Sequence, residues 1–186
     1  MPTPPRRAGF TLVEMMVALL VAAILMGAIS WVLIYSQRNQ ANSAAVAQME
    51  NDAHEAVGRV ADELRQAGSG GPGWSFSATA ITYNPCTGST SGTLTWDTTR
   101  SLLLAAEMGE TLADGVDNNG NGLRDEGMLV LSGAGIWEPW VSDIASNGLV
   151  FSRSGNNITI SLTLQRLNPS GSPITTTAST TVSLRN

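Results

Sequence analysis

The chain has 186 residues, a formal net charge of -5 and a single cysteine, Cys86, which leaves no intrachain disulfide. The acidic balance argues against general nucleic-acid binding, because that function needs a basic surface to meet the phosphates. All ten basic residues are arginine, so chemistry that needs a lysine amine, such as a Schiff base or an isopeptide crosslink between subunits, is excluded.

The N-terminal segment combines a short basic leader with a long apolar stretch. Arg6 and Arg7 precede the hexapeptide Gly-Phe-Thr-Leu-Val-Glu at 9–14, and the uncharged residues 15–35 follow it. About 21 such residues are enough to cross a membrane as one helix. The basic leader predicts that the N-terminus stays on the cytoplasmic side and that everything after Tyr35 is exported.

The position of the processing site is unusual for an exported protein. An ordinary secretory signal is cut after its apolar region, behind small residues. Here the only cleavage position that the sequence offers precedes the apolar region, so processing leaves the helix attached. Glu14 is unusual as well, because a carboxylate in an apolar helix costs about 2.5 to 3.5 kcal/mol near the bilayer centre unless it has a partner. The alternative is that Glu14 lies at headgroup depth and only solvates the helix end.

The hexapeptide, with arginines before it and an apolar stretch after it, resembles the type III signal of type IV pilins and of the pseudopilins of type II secretion. In that family a membrane aspartyl peptidase cuts after the glycine and methylates the new N-terminus. The resemblance implies a leader at 1–9 that ends with Gly9, an N-methylated Phe10 and a transmembrane helix at 10–35. It also implies that Glu14 contacts the N-terminal amine of a neighbouring subunit.

The helical pattern continues through 36–67, which is the predicted exported part of the helix. Charged residues lie between apolar residues that recur every three or four positions, as in a helix with one buried face. The segment 68–73, Gly-Ser-Gly-Gly-Pro-Gly, is a predicted linker, because repeated glycine and a proline end a helix. The apolar positions are Val46, Met49, Ala53, Val57, Val60, Leu64 and Ala67.

Residues 74–186 form the predicted β-rich domain. Apolar and polar residues alternate strictly over 158–164, which assigns one face of that strand to a core and the other to water. The expected fold is α+β, with a long N-terminal helix packed on an antiparallel sheet, and the type IV pilin resemblance implies the same architecture. The predicted strands, rich in Thr, Val, Ile, Leu and aromatic residues, are 78–83, 92–96, 101–106, 128–131, 149–153, 158–164 and 176–184.

A calcium-type loop is predicted at 114–126, where oxygen-bearing side chains alternate with glycines. Counted from Asp117, oxygens fall at positions 1, 3, 5, 7 and 9 of the calcium-loop template, with glycine at position 6. Position 12 is Met128, so this is not an EF-hand, although the stretch locally resembles loops of dockerins and thrombospondin repeats. The alternative is a metal-free Asn-Gly turn. The predicted calcium ligands are Asp114, Asp117, Asn119, Asn121, the carbonyl of Leu123, Asp125 and Glu126.

Trp137 and Trp140 flank a Glu-Pro pair, and two interpretations apply to them. Large aromatic residues often cap the core of a sheet. An exposed tryptophan is also a frequent anchor of a protein interface. Trp137 and Trp140 are therefore candidate interface residues with a core role as the alternative.

The functional hypothesis is a minor type IV pilin that joins or primes a pilus filament, near its tip. The alternatives are a minor pseudopilin of a type II secretion system and a calcium-dependent tip adhesin. The C-terminal strands loosely resemble PilW-type minor pilins and minor pseudopilin J, and many major pilins have a disulfide that this chain lacks. An enzyme is not expected, because His54 is the only histidine and no catalytic spacing accompanies it.

The expected partners follow from the same resemblance. They are prepilin peptidase, other minor pilins, the major pilin, an inner-membrane assembly platform and, before assembly, membrane lipid; no nucleic acid is expected. The expected location is the inner membrane, crossed once with the C-terminal domain exported. After assembly it is a pilus at the cell surface or a periplasmic pseudopilus.

Overall fold

The computed structural model describes residues 9–67 and 71–184, which form one long helix followed by nine strands. Residues 1–8 of the predicted leader, 68–70 of the predicted linker and 185–186 lie outside the described residues. The elements are α1 Leu12–Gln66, β1 Ser75–Phe76, β2 Ala80–Tyr83, β3 Cys86–Thr90, β4 Thr93–Trp96, β5 Arg100–Ala106, β6 Gly127–Gly133, β7 Ile136–Ser154, β8 Asn157–Leu167 and β9 Pro173–Ser183.

The chain divides into two compact units, Met1–Ala41 and Asn42–Asn186. In the first unit the helix is apolar on all sides, and its large side chains are exposed from Leu12 to Tyr35. An 18-residue window of this helix is long and apolar enough to cross a membrane, by length and composition. The unit therefore fits a membrane anchor.

The second unit contains a seven-stranded sheet in the order β1-β2-β5-β6-β7-β8-β9, in which every neighbouring pair is antiparallel. Strands β3 and β4 form a separate antiparallel hairpin. The predicted strand at 92–96 therefore belongs to this hairpin instead of the main sheet. Cys86, the first residue of β3, is a free and partly buried cysteine.

The core lies between the sheet and the part of α1 that belongs to the second unit. Six of the seven predicted apolar positions of the helix are buried, and Val46 is half-buried. The alternation predicted for β8 is confirmed, because Ile158, Ile160, Leu162 and Leu164 are all fully buried. Since burying one such side chain contributes about 1.5 to 3 kcal/mol, this shared apolar surface holds the helix on the sheet. The α+β fold class is thereby confirmed.

Two partly buried polar clusters add directional contacts between this helix and the sheet. In the first, Glu63 Oε1 accepts hydrogen bonds from the Tyr83 hydroxyl at 2.7 Å and from Arg100 Nη1 at 2.9 Å. In the second, Arg166 donates from Nη1 to Asp52 and from Nε to Asp143, both at 2.6 Å. Each cluster joins α1 to two strands.

The first cluster makes stability depend on pH in the alkaline range. The pKa of Tyr83 is raised, first by burial and then by the hydrogen bond that its hydroxyl donates to Glu63. A raised pKa in the folded state contributes stability that is fully present below the unfolded pKa of about 10 and is lost as the pH rises above it.

Replacing Tyr83 with phenylalanine is expected to lower the free energy of unfolding by about 1.5 to 3 kcal/mol, the range for hydrogen bonds to charged groups. As the pH rises above about 10, the stability of the variant is also expected to fall less than that of the wild type. Thermal unfolding of the full-length chain in detergent, at neutral and alkaline pH, measures both effects. Tyr35→Phe is the matched control, because Tyr35 is exposed. An equal loss of stability at alkaline pH in the wild type and in Tyr83→Phe would contradict this role of Tyr83.

Candidate functional site

The start of α1 is held by a reciprocal pair of contacts between Thr11 and Glu14. The backbone N–H of Glu14 donates to Thr11 Oγ1 at 3.3 Å. In return, Glu14 Oε2 accepts from the backbone N–H of Thr11 at 2.9 Å and from its hydroxyl at 3.0 Å. This is a capping box, in which an N-cap threonine and a glutamate three residues later satisfy donors that the first helical turn leaves unpaired.

The cap gives Glu14 a local role that sequence reasoning missed. The signal was present, because Thr-Leu-Val-Glu at 11–14 fits the capping-box pattern of Ser or Thr followed three residues later by Glu or Gln. Within the described residues, the hydrogen bonds to the carboxylate use Oε2 alone. A role in capping and a contact with another subunit are therefore compatible. The predicted contact with a neighbouring N-terminus stays a prediction.

The predicted cleavage site lies just before this cap. Gly9 and Phe10 precede the helix, and the Phe10 side chain is exposed. Among the described residues, a Cβ added at Gly9 would meet no atom within 4 Å, so this part of the chain does not require glycine there. Any requirement for glycine must come from an external partner such as a peptidase. Cleavage after Gly9 and methylation of Phe10 stay predictions.

The predicted calcium-type loop lies in the connection between β5 and β6, residues 107–126, called the connecting loop below. Asp117 organises its tip, because its carboxylate accepts the backbone N–H groups of Gly120 at 2.6 Å, Asn121 at 3.1 Å and Gly122 at 2.8 Å. Gly120 and Gly122 have positive φ angles of 77° and 91°, which glycine adopts without strain. Asn121 Oδ1 accepts the N–H of Leu123 at 2.8 Å.

Two further predicted ligands hold the base of the same loop. The Asp125 carboxylate accepts the backbone N–H groups of Asp114 and Gly115, at 2.8 and 2.9 Å. Asp114 accepts from the Asn118 side chain and from the N–H of Val116, and these two hydrogen bonds lower its pKa. Both carboxylates therefore act as acceptors for the loop backbone.

A second group of carboxylates lies on the buried side of the connecting loop. Glu110 is 8% exposed and Glu126 is 1% exposed. Glu110 Oε1 accepts the backbone N–H groups of Asn118 and Asn119, at 2.9 and 3.1 Å. Glu126 Oε1 accepts the side-chain N–H₂ groups of Asn119, at 3.3 Å, and of Asn121.

Each of these carboxylates leaves its second oxygen without a partner. Oε2 of Glu110, Oε2 of Glu126 and Oε2 of the neighbouring Glu107 are buried and make no hydrogen bond within the described residues. The pKa of Glu107 is raised, first by burial and then by the nearby carboxylates of Asp143, Glu126 and Glu110. Sequence reasoning missed Glu107 and Glu110, because both precede the calcium-loop template. A Glu-x-x-Glu pair directly before the template was the only signal.

The arrangement leaves calcium binding open. Among the described residues, no group of three or more His, Cys, Asp or Glu side chains is placed to hold a metal ion. Calcium does not need three such side chains, because it also accepts backbone and amide oxygens. Calcium binding at 114–126 stays a prediction.

Trp137 and Trp140 differ in their surroundings, although both lie in β7. Trp137 is 60% exposed, whereas Trp140 is partly buried and packs against the core. Trp140 also lines a groove of about 530 Å³ together with Asp52 and Arg166. The interpretation as a core residue therefore fits Trp140, and an interface role stays a prediction for Trp137.

Comparison with known protein families gives a match at the N-terminus. The model of the prokaryotic N-terminal methylation motif matches residues 4–30, a segment that contains Gly9, Phe10 and Glu14. Comparison with curated proteins and with solved structures found no match. The motif indicates a structural protein. The methylation motif and the apolar helix that carries it support a type IV pilin-like protein with a membrane-anchoring N-terminal helix.

Proposed function

We propose that this chain is a minor type IV pilin, which prepilin peptidase cleaves after Gly9 and which then joins or primes a pilus filament near its tip. The observation that carries this proposal is the methylation motif over 4–30, which runs without interruption into the apolar part of α1. In such a chain the same segment is first a recognition signal for the peptidase, then a membrane anchor and finally the part that enters a filament.

The exposure of the N-terminal unit supports an assembly role. Its helix is apolar all round, and its large side chains from Leu12 to Tyr35 are exposed. So large an apolar surface requires a cover, which is lipid before assembly and the helices of sister subunits afterwards. Glu14 is the one acidic or basic residue in the sequence from 12 to 35, so it is the natural position for a charge-dependent contact between subunits.

The cysteine content supports a minor subunit over a major one. Cys86 is the only cysteine and is free, whereas many major pilins close a C-terminal loop with a disulfide. The C-terminal strands resemble those of PilW-type minor pilins. They also resemble those of minor pseudopilin J, so a pseudopilin of type II secretion is the alternative that the experiment must separate.

Shearing cells and immunoblotting the released filaments tests the proposal. The processed chain is expected in the sheared fraction of the wild type and is expected to be absent from that of a strain without the type IV major pilin. The major pilin itself, followed in the same wild-type fraction, controls for filament recovery. A chain that stays with the cell envelope in both strains would contradict the pilus assignment and favour the pseudopilus.

A further inference from the structure

The two most buried carboxylates of the connecting loop have an electrostatic problem that the chain alone does not solve. Glu126 is 1% exposed and Glu110 is 8% exposed, yet in each only one oxygen accepts hydrogen bonds. Within residues 9–67 and 71–184, the ion pairs formed by arginine involve neither of them. A buried charge without an opposite charge is costly, so a cation at these two oxygens would stabilise the folded loop.

Asn119 donates hydrogen bonds to both carboxylates. Its backbone N–H donates to Glu110 at 3.1 Å, and its side chain donates to Glu126 at 3.3 Å. The Asn121 side chain donates to the same oxygen of Glu126. Glu107 adds a third carboxylate with a buried, unpaired oxygen. Negative charge is therefore concentrated on the inner side of the loop, where amide side chains surround it.

We propose that Glu110 and Glu126 hold a divalent cation of the calcium class between their unpaired oxygens, on the buried side of the connecting loop. The side-chain oxygens of Asn119 and Asn121 already accept backbone N–H groups of the loop, so the remaining ligand positions fall to backbone carbonyl oxygens and water. Calcium fits because it takes six to eight oxygen ligands in irregular geometry. Two carboxylates with carbonyl oxygens and water form such a set without a third acidic ligand.

This site differs from the one that the loop template predicts. Asp117 and Asp125, which the template places on the ion, are occupied by the backbone N–H groups of the loop. Those contacts shape the loop, whereas the unpaired oxygens of Glu110 and Glu126 are free to bind. The proposed ion would connect the start of the loop after β5 with its end before β6. A long connection without helix or strand is uncommon in a compact domain, and such an ion would fix it in place.

Isothermal titration of calcium into the full-length chain, purified in detergent and freed of metal with a chelator, tests the proposal. The wild type is expected to bind calcium at or below about millimolar concentration, the range of extracellular calcium modules. Glu110→Gln and Glu126→Gln are each expected to weaken that binding at least about tenfold. Asp117→Asn tests the site that the loop template predicts. It is expected to weaken calcium binding less than Glu110→Gln or Glu126→Gln does. Glu138→Gln is the matched control, because Glu138 is an exposed residue of β7, outside the connecting loop.

Thermal unfolding keeps the result interpretable if a variant folds poorly. With the chelator present, Glu126→Gln is expected to unfold at the same temperature as the wild type or higher, because it removes an uncompensated buried charge. With calcium present, the order is expected to reverse. Three outcomes would overturn the proposal: no calcium binding by the wild type at millimolar concentration, binding that survives both glutamate substitutions, or Glu126→Gln unfolding below the wild type in the chelator.

Discussion

Replacing Glu14 with glutamine is expected to remove the chain from filaments even though the start of α1 stays capped. Glutamine at this position of a capping box still accepts the Thr11 hydrogen bonds, but it carries no charge. The substitution therefore removes the charge on which the predicted contact with another subunit depends. Because breaking a buried ion pair costs about 3 to 5 kcal/mol, the amount in the sheared filament fraction is expected to fall about a hundredfold or more.

Thr11→Ala supplies the complementary control. It removes the N-cap side chain while leaving the Glu14 carboxylate in place, and losing such a cap costs about 1 kcal/mol. We expect this variant to enter filaments at close to the wild-type level. The reverse pattern, with Glu14→Gln incorporated and Thr11→Ala lost, would mean that Glu14 serves the helix cap and not a subunit contact.

Replacing Gly9 with valine is expected to abolish processing, so that the chain accumulates in the membrane in its longer, uncut form. A Cβ at Gly9 meets nothing within 4 Å among the described residues, so we expect no steric effect of the substitution on that part of the fold. A branched side chain beside the predicted cleavage site is expected to act instead on the fit to the peptidase. Immunoblotting membranes for the longer form measures the effect.

Gly27→Val is the matched control for that experiment. Gly27 lies in the apolar part of α1, and a Cβ there also meets nothing within 4 Å. The same glycine-to-valine change, made away from the predicted cleavage site, is expected to leave processing intact. Complete processing of Gly9→Val would contradict the assignment of Gly9 as the last leader residue.

The long helix and the main strands could be predicted because their patterns have a simple period. The apolar spacing through Met49, Val57 and Leu64 marks the buried face of α1, and strict alternation marks β8. Such patterns depend only on the side-chain direction of regular backbone. They therefore identify the two surfaces that meet in the core without any knowledge of the fold.

The first half of β7 was missed because its backbone is irregular. The strand begins at Ile136, whereas only 149–153 was predicted. Asp143 and Asn147 have positive φ angles of 60° and 57°, and the pairing register shifts between Ile144 and Leu149. A bulge breaks the alternation from which a strand is recognised, so periodicity fails there.

The candidate sites also differ in how far they could be predicted from the sequence. Gly9, Phe10 and Glu14 could be named from sequence, because a contiguous signal must be read by an enzyme as a linear segment. Glu107 and Glu110 could not, and neither could the burial of one unpaired oxygen in each of Glu107, Glu110 and Glu126, since burial and pairing depend on how the connecting loop folds onto itself. Glu126 was named from the sequence as a calcium ligand, and calcium binding at 114–126 stays a prediction.

The measurement that tests the central claim most directly is the mass of the N-terminal peptide of the chain recovered from cell membranes. The account predicts a peptide that begins at Phe10 and carries one added methyl group on its amine, with the apolar helix still attached. A chain that retains residues before Phe10, or that begins after Tyr35 as an ordinary secreted protein would, contradicts the assignment as a type IV pilin-like protein.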